Sequence, residues 1–171
     1  DKIVLVSDEC LTSFVGAFPH YRERAISIEN ILNQKTVKQR ANESAEKVLR
    51  ASNGIQFGTV CRIEFRHKGL DRALRALHKL HEEGYSFDWH VVGEGSDKDT
   101  MLNMLKELNL ERYVHLYGSK INPLPLVKQF DCFLLPSLYE GKPMAVTEAQ
   151  MLGIPVVATR YASADEQILS G

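Results

Sequence analysis

Asp131-Cys-Phe-Leu-Leu-Pro136-Ser-Leu-Tyr-Glu140-Gly-Lys-Pro143-Met-Ala-Val-Thr-Glu148-Ala-Gln-Met-Leu-Gly153-Ile-Pro155-Val-Val-Ala-Thr159 reads as a strand, a loop, a helix and a second strand. Asp131 to Leu135 is an apolar run of strand length. Pro136 to Lys142 mixes turn formers with charge. Pro143 to Leu152 has the length of a short helix, which Gly153 closes, and Pro155 to Thr159 is apolar and rich in valine. Two strands joined through a crossover helix pair in parallel, because a hairpin turn cannot bring them alongside in that sense.

The same alternation extends upstream. Phe57 to Ile63 is a strand, and Leu70, Ala73, Leu74, Leu77 and Leu80 form one apolar helical stripe, with Arg72, Arg75, Lys79 and Glu82 on the other faces. Asp88 to Val92 is the next strand. Ser96 is placed to cap a helix carrying Leu102, Leu105 and Leu108, with Asp99 as its capping-box partner. Val114 to Tyr117 is a third strand closed by Gly118, and a short helix is expected from Pro125 to Phe130. After the fifth strand, Ser163 starts a helix with Glu166 as reciprocal cap. Five strands alternating with helices, apolar on both faces, predict an α/β doubly wound parallel sheet.

Residues 1–50 are patterned differently. Lys2 to Val6 and Ala25 to Ile31 are strand-like, whereas Gln34 to Ala51 is polar and suits an exposed helix or a linker.

Composition narrows the function classes. In 171 residues, 21 basic side chains balance 22 acidic ones, so no global field draws the chain to nucleic acid or to anionic lipid. The apolar runs are strand-sized, well short of a membrane helix, and no signal-peptide pattern is present. Cys10, Cys61 and Cys132 are odd in number and form no CxxC pair, which argues against a disulfide framework and for a reducing compartment, so a cytoplasmic location is expected. No His, Cys or Asp grouping has metal-ligand spacing, and His78 and His81 read as the polar face of a helix; no metal or other cofactor is expected.

In an open α/β sheet the ligand crevice lies beyond the carboxyl ends of the strands, where the strand order reverses. For an order 3-2-1-4-5 that point falls between the strands ending at Ile63 and Leu135. The loop after the former holds Arg62, Arg66, His67 and Lys68; the loop after the latter holds Glu140 and Lys142 and leads into the helix at Pro143. Cations thus face a helix start, an arrangement suited to a phosphate or diphosphate. Pro143 fits the first helical position, which leaves the amides of Met144, Ala145 and Val146 unpaired. Arg62 can bind two phosphate oxygens and Lys68 adds a point charge. A solvated basic loop beside an ordinary helix start is the competing reading. Glu140 and Glu148, eight positions apart across a loop and a helix, do not flank one bond as a hydrolytic pair would; each suits the vicinal hydroxyls of a ribose or hexose.

The segment Glu140-Gly-Lys-Pro-Met-Ala-Val-Thr-Glu148, with Ala149, Gly153 and Pro155 following, resembles the E-x7-E signature of the retaining group 1 (family 4) glycosyltransferases. Arg62 with Lys68-Gly69-Leu-Asp71, and Val92-Gly-Glu-Gly95, resemble two further family motifs, and together the three cover about residues 55–169. The resemblance implies a Rossmann-like fold, the C-terminal donor-binding half of a two-Rossmann-domain enzyme. It implies hexose transfer from a UDP- or GDP-sugar to a glycan or lipid-linked acceptor, with retention and without metal. It makes Arg62, Lys68 and Glu140 catalytic, with Arg66 an alternative to Lys68. Glu148 would hold the ribose; Gly141, Lys142, Pro143, Met144 and Ala145 complete the donor site, and Ser119 and Lys120 border the base. Cys61, Ala162 and Ser163 stand where the family pattern has glycine, and the Arg62-to-Lys68 separation is one residue longer than usual.

By the same resemblance, residues 1–33 are the remnant of an acceptor domain and linker, and 34–171 a donor domain truncated at its C-terminus. Such a fragment is expected to bind nucleotide, to transfer little sugar, and to have unpaired edges through which it could dimerise. The full-length enzyme would work in the cytoplasm or peripherally at the inner membrane face. Its Glu-Gly-Lys-Pro form resembles bacterial transferases that build surface polysaccharides. A nicotinamide-binding dehydrogenase is disfavoured, since Arg62-Ile-Glu-Phe-Arg-His replaces the glycine-rich turn. A nucleotide-sugar epimerase and a non-catalytic nucleotide-sugar binding module remain as alternatives.

Overall fold

The structure, a computed structural model, describes residues 1–168. The chain begins with β1 (Ile3–Leu5), α1 (Asp8–Ala17), a 3₁₀ turn at Pro19–Arg24 and β2 (Ala25–Ser27). β1 and β2 pair in parallel as a separate two-stranded sheet, with α1 as the crossover. The second strand is shorter than the predicted Ala25-to-Ile31 run: after Ile28 N donates to Leu5 O (2.8 Å), the chain turns outward and leaves Ile31 91% exposed. α2 (Gln34–Arg40) follows, capped by Asn33, whose side chain accepts from the Lys35 and Thr36 amides. The expected exposed linker is more anchored than its composition indicates, because Val37, Ala41 and Val48 are buried.

The main sheet is built from β3 (Ile55–Val60), α3 (Phe65–Lys68), α4 (Leu70–Glu82), β4 (Phe87–Val92), α5 (Lys98–Glu107), β5 (Val114–Leu116), α6 (Leu124–Val127), β6 (Cys132–Leu135), α7 (Met144–Met151), β7 (Val156–Ala158) and α8 (Ala164–Gln167). Its order is β5-β4-β3-β6-β7, every pair parallel. This is the doubly wound order 3-2-1-4-5, with the reversal between β3 and β6. The last three positions of the donor domain expected at 34–171, and position 169 of the segment matched to the family motifs, lie outside the described residues.

Packing follows the sequence pattern. α4 buries Leu70, Ala73, Leu74 and Leu77 against Phe87, Trp89, Val91, Met101 and Leu105, while α7 buries Val146 and Ala149 with Phe133, Leu135 and Tyr161 on the other part of the sheet. β4 is buried along its whole length, as an interior strand of a sheet covered on both faces should be. Its Trp89 Nε1 donates to Thr59 Oγ1 (2.9 Å), which in turn donates to Leu134 O (2.7 Å). Three strands are therefore tied through one buried pair of polar side chains with no unmet donor.

A buried polar cluster closes the amino-terminal end of the sheet. The Asp88 carboxylate, fully buried, accepts from the amides of Ala51 and Ser52, from Ser52 Oγ, from Gln56 Nε2 and from His115 Nε2. Burial alone would raise its pKa, but these donors outweigh burial and hold it at about 2. His90 lies between the rings of Phe130 and His115, and burial pushes its pKa down to about 4. Because Gln56 uses its amide as donor, its Oε1 must accept from His90 Nε2 (3.0 Å), leaving Nδ1 to accept from Tyr117 Oη (3.2 Å). This cluster holds the 48–54 segment onto the sheet, with Tyr117 Oη also accepting from Leu49 N (2.8 Å).

Two predicted caps are not formed. Asp97, not Ser96, occupies the cap of α5, and its carboxylate accepts from Phe65 N (2.7 Å), so it braces the start of α3 instead of closing a box with Asp99. Ser163 Oγ donates to Gly141 O, and Glu166 reaches a different helix: its carboxylate accepts from the Asp8 (3.3 Å) and Glu9 (2.8 Å) amides at the start of α1. Orphan amides at a helix start attract the nearest carboxylate in space, which need not be the nearest in sequence.

Candidate functional site

The loops leaving β3, β4 and β5 run side by side at the carboxyl edge. Cys61 N donates to Val92 O (3.1 Å), Ile63 N to Glu94 O (3.0 Å) and Gly93 N to Gly118 O (2.9 Å), so the ladder continues past the strands. Gly93 is required here: its φ is 153°, and a Cβ would lie 1.8 Å from Cys61 O. This close approach alternates the side chains, turning Ile63 into the core and Arg62 out to solvent. Arg62, Glu94, Ser119 and Lys120 then line one cavity of about 310 Å³. Arg62 and Arg66 have no hydrogen-bond or ion-pair partner among the described residues, whereas Lys120 pairs with Glu46 (2.6 Å).

Across the strand reversal, the loop after β6 is fastened to the loop after β3. Leu138 N donates to His67 O (2.7 Å), and the His67 and Tyr139 rings meet edge to face at 5.9 Å. Gly69 ends α3 with φ 62°, and a Cβ there would come 2.2 Å from Pro136 O. The two loops are thereby close enough for Lys68 Nζ to contact Glu140 Oε1 at 2.7 Å, both side chains being mostly buried. The sequence reading brought these two residues to the same crevice but did not pair them. Their opposite charges on facing loops were the available signal.

Lys142 also has a partner, Glu29 (2.6 Å), and Gly141 lies against Val6 and Cys10, so the segment around Glu140 touches the N-terminal unit as well. Pro143 is the N-cap of α7, with ψ 116°, and not its first helical residue. The helix consequently starts at Met144, and Val146 N is satisfied by Pro143 O (3.2 Å); the amides of Met144 and Ala145 have no acceptor among the described residues. Gln167, not singled out from sequence, braces this start. Its Nε2 donates to Pro143 O (2.9 Å) and Thr147 Oγ1 (2.7 Å), while its Oε1 accepts from Tyr161 Oη (2.8 Å). No local pattern marks Gln167, since the acceptors it holds at the start of α7 are 20 and 24 residues away.

Glu148, on α7, is partly buried, and its carboxylate has no hydrogen-bond or ion-pair partner among the described residues. Burial raises its pKa, opposed by the Arg40 guanidinium. Arg40 in turn donates to Ile121 O (3.3 Å), next to the Lys120 that lines the Arg62 cavity. Burial pushes the Cys61 thiol up to about 12, with Lys68 opposing and Glu140 reinforcing, so it is not a nucleophile at neutral pH. No group of three or more His, Cys, Asp or Glu side chains among the described residues is arranged to hold a metal ion.

Two arginines without partners, a lysine held by a carboxylate, a helix start with open amides and an unpaired glutamate therefore share one edge of a doubly wound sheet. The family model described as Glycosyl transferases group 1 matches residues 40–171. The chain belongs to the group 1 glycosyl transferases. Among curated proteins it is 26% identical over 171 residues to the uncharacterized glycosyltransferase MJ1059 of Methanocaldococcus jannaschii, covering 99% of this chain and 42% of that protein. It is 34% identical over 111 residues to the putative colanic acid biosynthesis glycosyltransferase WcaL of Escherichia coli, covering 59% of this chain and 27% of WcaL. Anabaena HepE, solved in complex with UDP and glucose, superposes with a TM-score of 0.82 at 20% identity, over 99% of this chain and 47% of HepE. At that identity the superposition speaks for the fold. This group 1 chain thus spans less than half the length of the relatives it matches. No helix among its described residues is long and apolar enough to cross a membrane.

Proposed function

We propose that residues 34–171 supply the donor site of a transferase that moves a hexose from a nucleoside diphosphate to a glycan or lipid-linked acceptor with retention, residues 1–33 belonging to the acceptor domain and linker. The observation that carries this reading is the Lys68–Glu140 contact across the strand reversal, with the open start of α7 and the Arg62-lined cavity both on loops at the same carboxyl end of the sheet. UDP is bound in HepE, and UDP-glucose in another of its complexes; a UDP-sugar is accordingly the first donor to test here, with GDP-sugars second.

Residue roles follow from charge development. As the glycosidic bond to the diphosphate breaks, negative charge grows on the leaving oxygens, and fixed positive groups there lower the barrier most. Arg62, with its planar fork unpaired, takes two phosphate oxygens, Lys68 a third, and the Met144 and Ala145 amides face the same charge. Arg66, exposed and without a protein partner like Arg62, is the alternative to Lys68, which the neighbouring loop holds in place. Glu140 grips hydroxyls of the donor sugar and Glu148 those of the ribose, while Ser119 and Lys120 border the base. Gly141, Lys142 and Pro143 set the path of the chain between these groups. None of these roles calls on a metal.

A thermal-shift panel of UDP, GDP, ADP and their sugars tests the reading. A ligand at a hundred times its Kd stabilises by about 2.7 kcal/mol, and one family of nucleotides is expected to shift the Tm. No shift with any of them contradicts the assignment.

A further inference from the structure

Lys68 cannot serve Glu140 and a diphosphate equally at once. Its ammonium is engaged at 2.7 Å by a carboxylate whose side chain is only 13% exposed, and it is itself 24% exposed. Neither partner swings freely into water. Lys68 is held by α3 and by Gly69, whose left-handed turn abuts Pro136, and Glu140 is held through Leu138 N on His67 O and through Gly141 against Val6. We propose that the Lys68–Glu140 pair is a built-in competitor for the leaving diphosphate, which couples diphosphate binding to the presence of the sugar. This rests on the donor-site reading given above.

The logic is one of partners. A nucleoside diphosphate arriving alone draws Lys68 away and leaves Glu140 a mostly buried anion beside a second anion, with no donor in exchange. That state is unfavourable, because a desolvated charge stripped of its counter-ion loses far more than an exposed one. An intact nucleotide sugar supplies hydroxyl donors to Glu140 as its diphosphate takes Lys68, so both groups stay paired. Once the sugar has left, Glu140 returns to Lys68 and the diphosphate is displaced. The same contact thus favours the intact donor over the spent one and promotes product release, a step that often limits turnover. Coupling of this kind is reciprocal: whatever the sugar adds to diphosphate binding, the diphosphate adds to sugar binding.

A counter-intuitive result follows, since removing a residue assigned to the donor site should strengthen one ligand. Calorimetric titration with UDP, and with inorganic pyrophosphate as a probe that ignores the base, is carried out on the wild-type chain, Glu140→Gln, Lys68→Met and the double variant. Glu140→Gln keeps the shape of the side chain, Glu140→Ala serves as a second variant, and each protein is checked by thermal unfolding. Glu140→Gln is expected to bind both probes roughly two- to fivefold more tightly than wild type, and this gain should vanish in the Lys68→Met background. If Glu140→Gln brings no gain, or the same gain without Lys68, while Arg62→Ala still weakens binding, the competition is overturned and the donor site stands. If neither probe binds to wild type or to Glu140→Gln, the donor site falls, and the competition with it.

Discussion

The two ends of the main sheet treat their polar side chains in opposite ways: buried and mutually paired at one, exposed or half-buried and unpaired at the other. At the amino end Asp88 has five donors, His90 has both nitrogens engaged and Gln56 uses oxygen and nitrogen alike. At the carboxyl end Arg62, Arg66 and Glu148 have no partner among the described residues, and the Met144 and Ala145 amides are open. A saturated buried network resists change and reads as structure, whereas groups without protein partners are open to water or to a ligand. Nearness to buried titratable groups does not by itself mark a functional site, since the most perturbed histidine of the chain lies at the saturated end.

The largest expected effect breaks the amino end. Asp88→Ala strands the Ala51 and Ser52 amides, Gln56 and His115 without their acceptor, and should lower stability by about 3–5 kcal/mol, read by urea unfolding. A loss under 1 kcal/mol would mean that the cluster is not structural.

Acid comes next, with a defined sign. The folded pKa of His90 is depressed, from an ordinary 6.5 to about 4, so the unfolded chain binds the extra proton first. His90 therefore stabilises fully above about pH 6.5, and its contribution drains away as the pH falls toward 4, by about 3 kcal/mol in all. The groups facing it are His115, Asp88, Arg50, Asp131 and Tyr117. Asp88, depressed from 3.8 to about 2, acts in a lower window and is lost only below pH 3.8. Unfolding free energies measured at pH 7 and pH 4.5 should differ clearly; a flat profile across that range rules out this account of His90.

At the carboxyl end, Arg62→Ala should leave stability unchanged and cost about 2 kcal/mol of nucleoside-diphosphate affinity, the value of charge-assisted hydrogen bonds to an anion. Loss of Tm without loss of binding would reverse the assignment. The smallest effect concerns the contact between the two sheets. Glu166→Ala leaves the Ser7 cap of α1 in place but takes the acceptor from the Asp8 and Glu9 amides, and should cost about 1 kcal/mol, visible as faster amide exchange at Asp8 and Glu9.

The fold was legible in the sequence because its evidence is local and repeated. The apolar runs at 57–63, 88–92, 114–117, 131–135 and 155–159 and the stripe from Leu70 to Leu80 each specify an element, and the crossover rule orders them. The candidate site was legible as a set of loops, because topology brings the chain after β3 and β6 to one crevice. Contacts that depend on three-dimensional proximity were not. Glu166 reads as a cap for its own helix and caps another 157 residues away; Ser96 and Asp99 have only the spacing of a weak capping box, and Asp97 lies nearer both helix starts. Pro143 is the N-cap and not the first helical residue, and Val146 leaves the open amides through a 3₁₀-type bond to Pro143 O. The Lys68–Glu140 pair escaped because each residue was read against a ligand and not against its neighbour.

The central claim is that the carboxyl-end loops, and not the amino-end cluster, form a nucleoside-diphosphate site. Hydrogen–deuterium exchange of the whole chain, with and without whichever nucleoside diphosphate raises the Tm most, tests it directly. Protection is expected at residues 61–69, 118–120 and 138–148, with 48–56 and 88–90 unchanged. Protection confined to the amino end, or absent from all three loops, would contradict it.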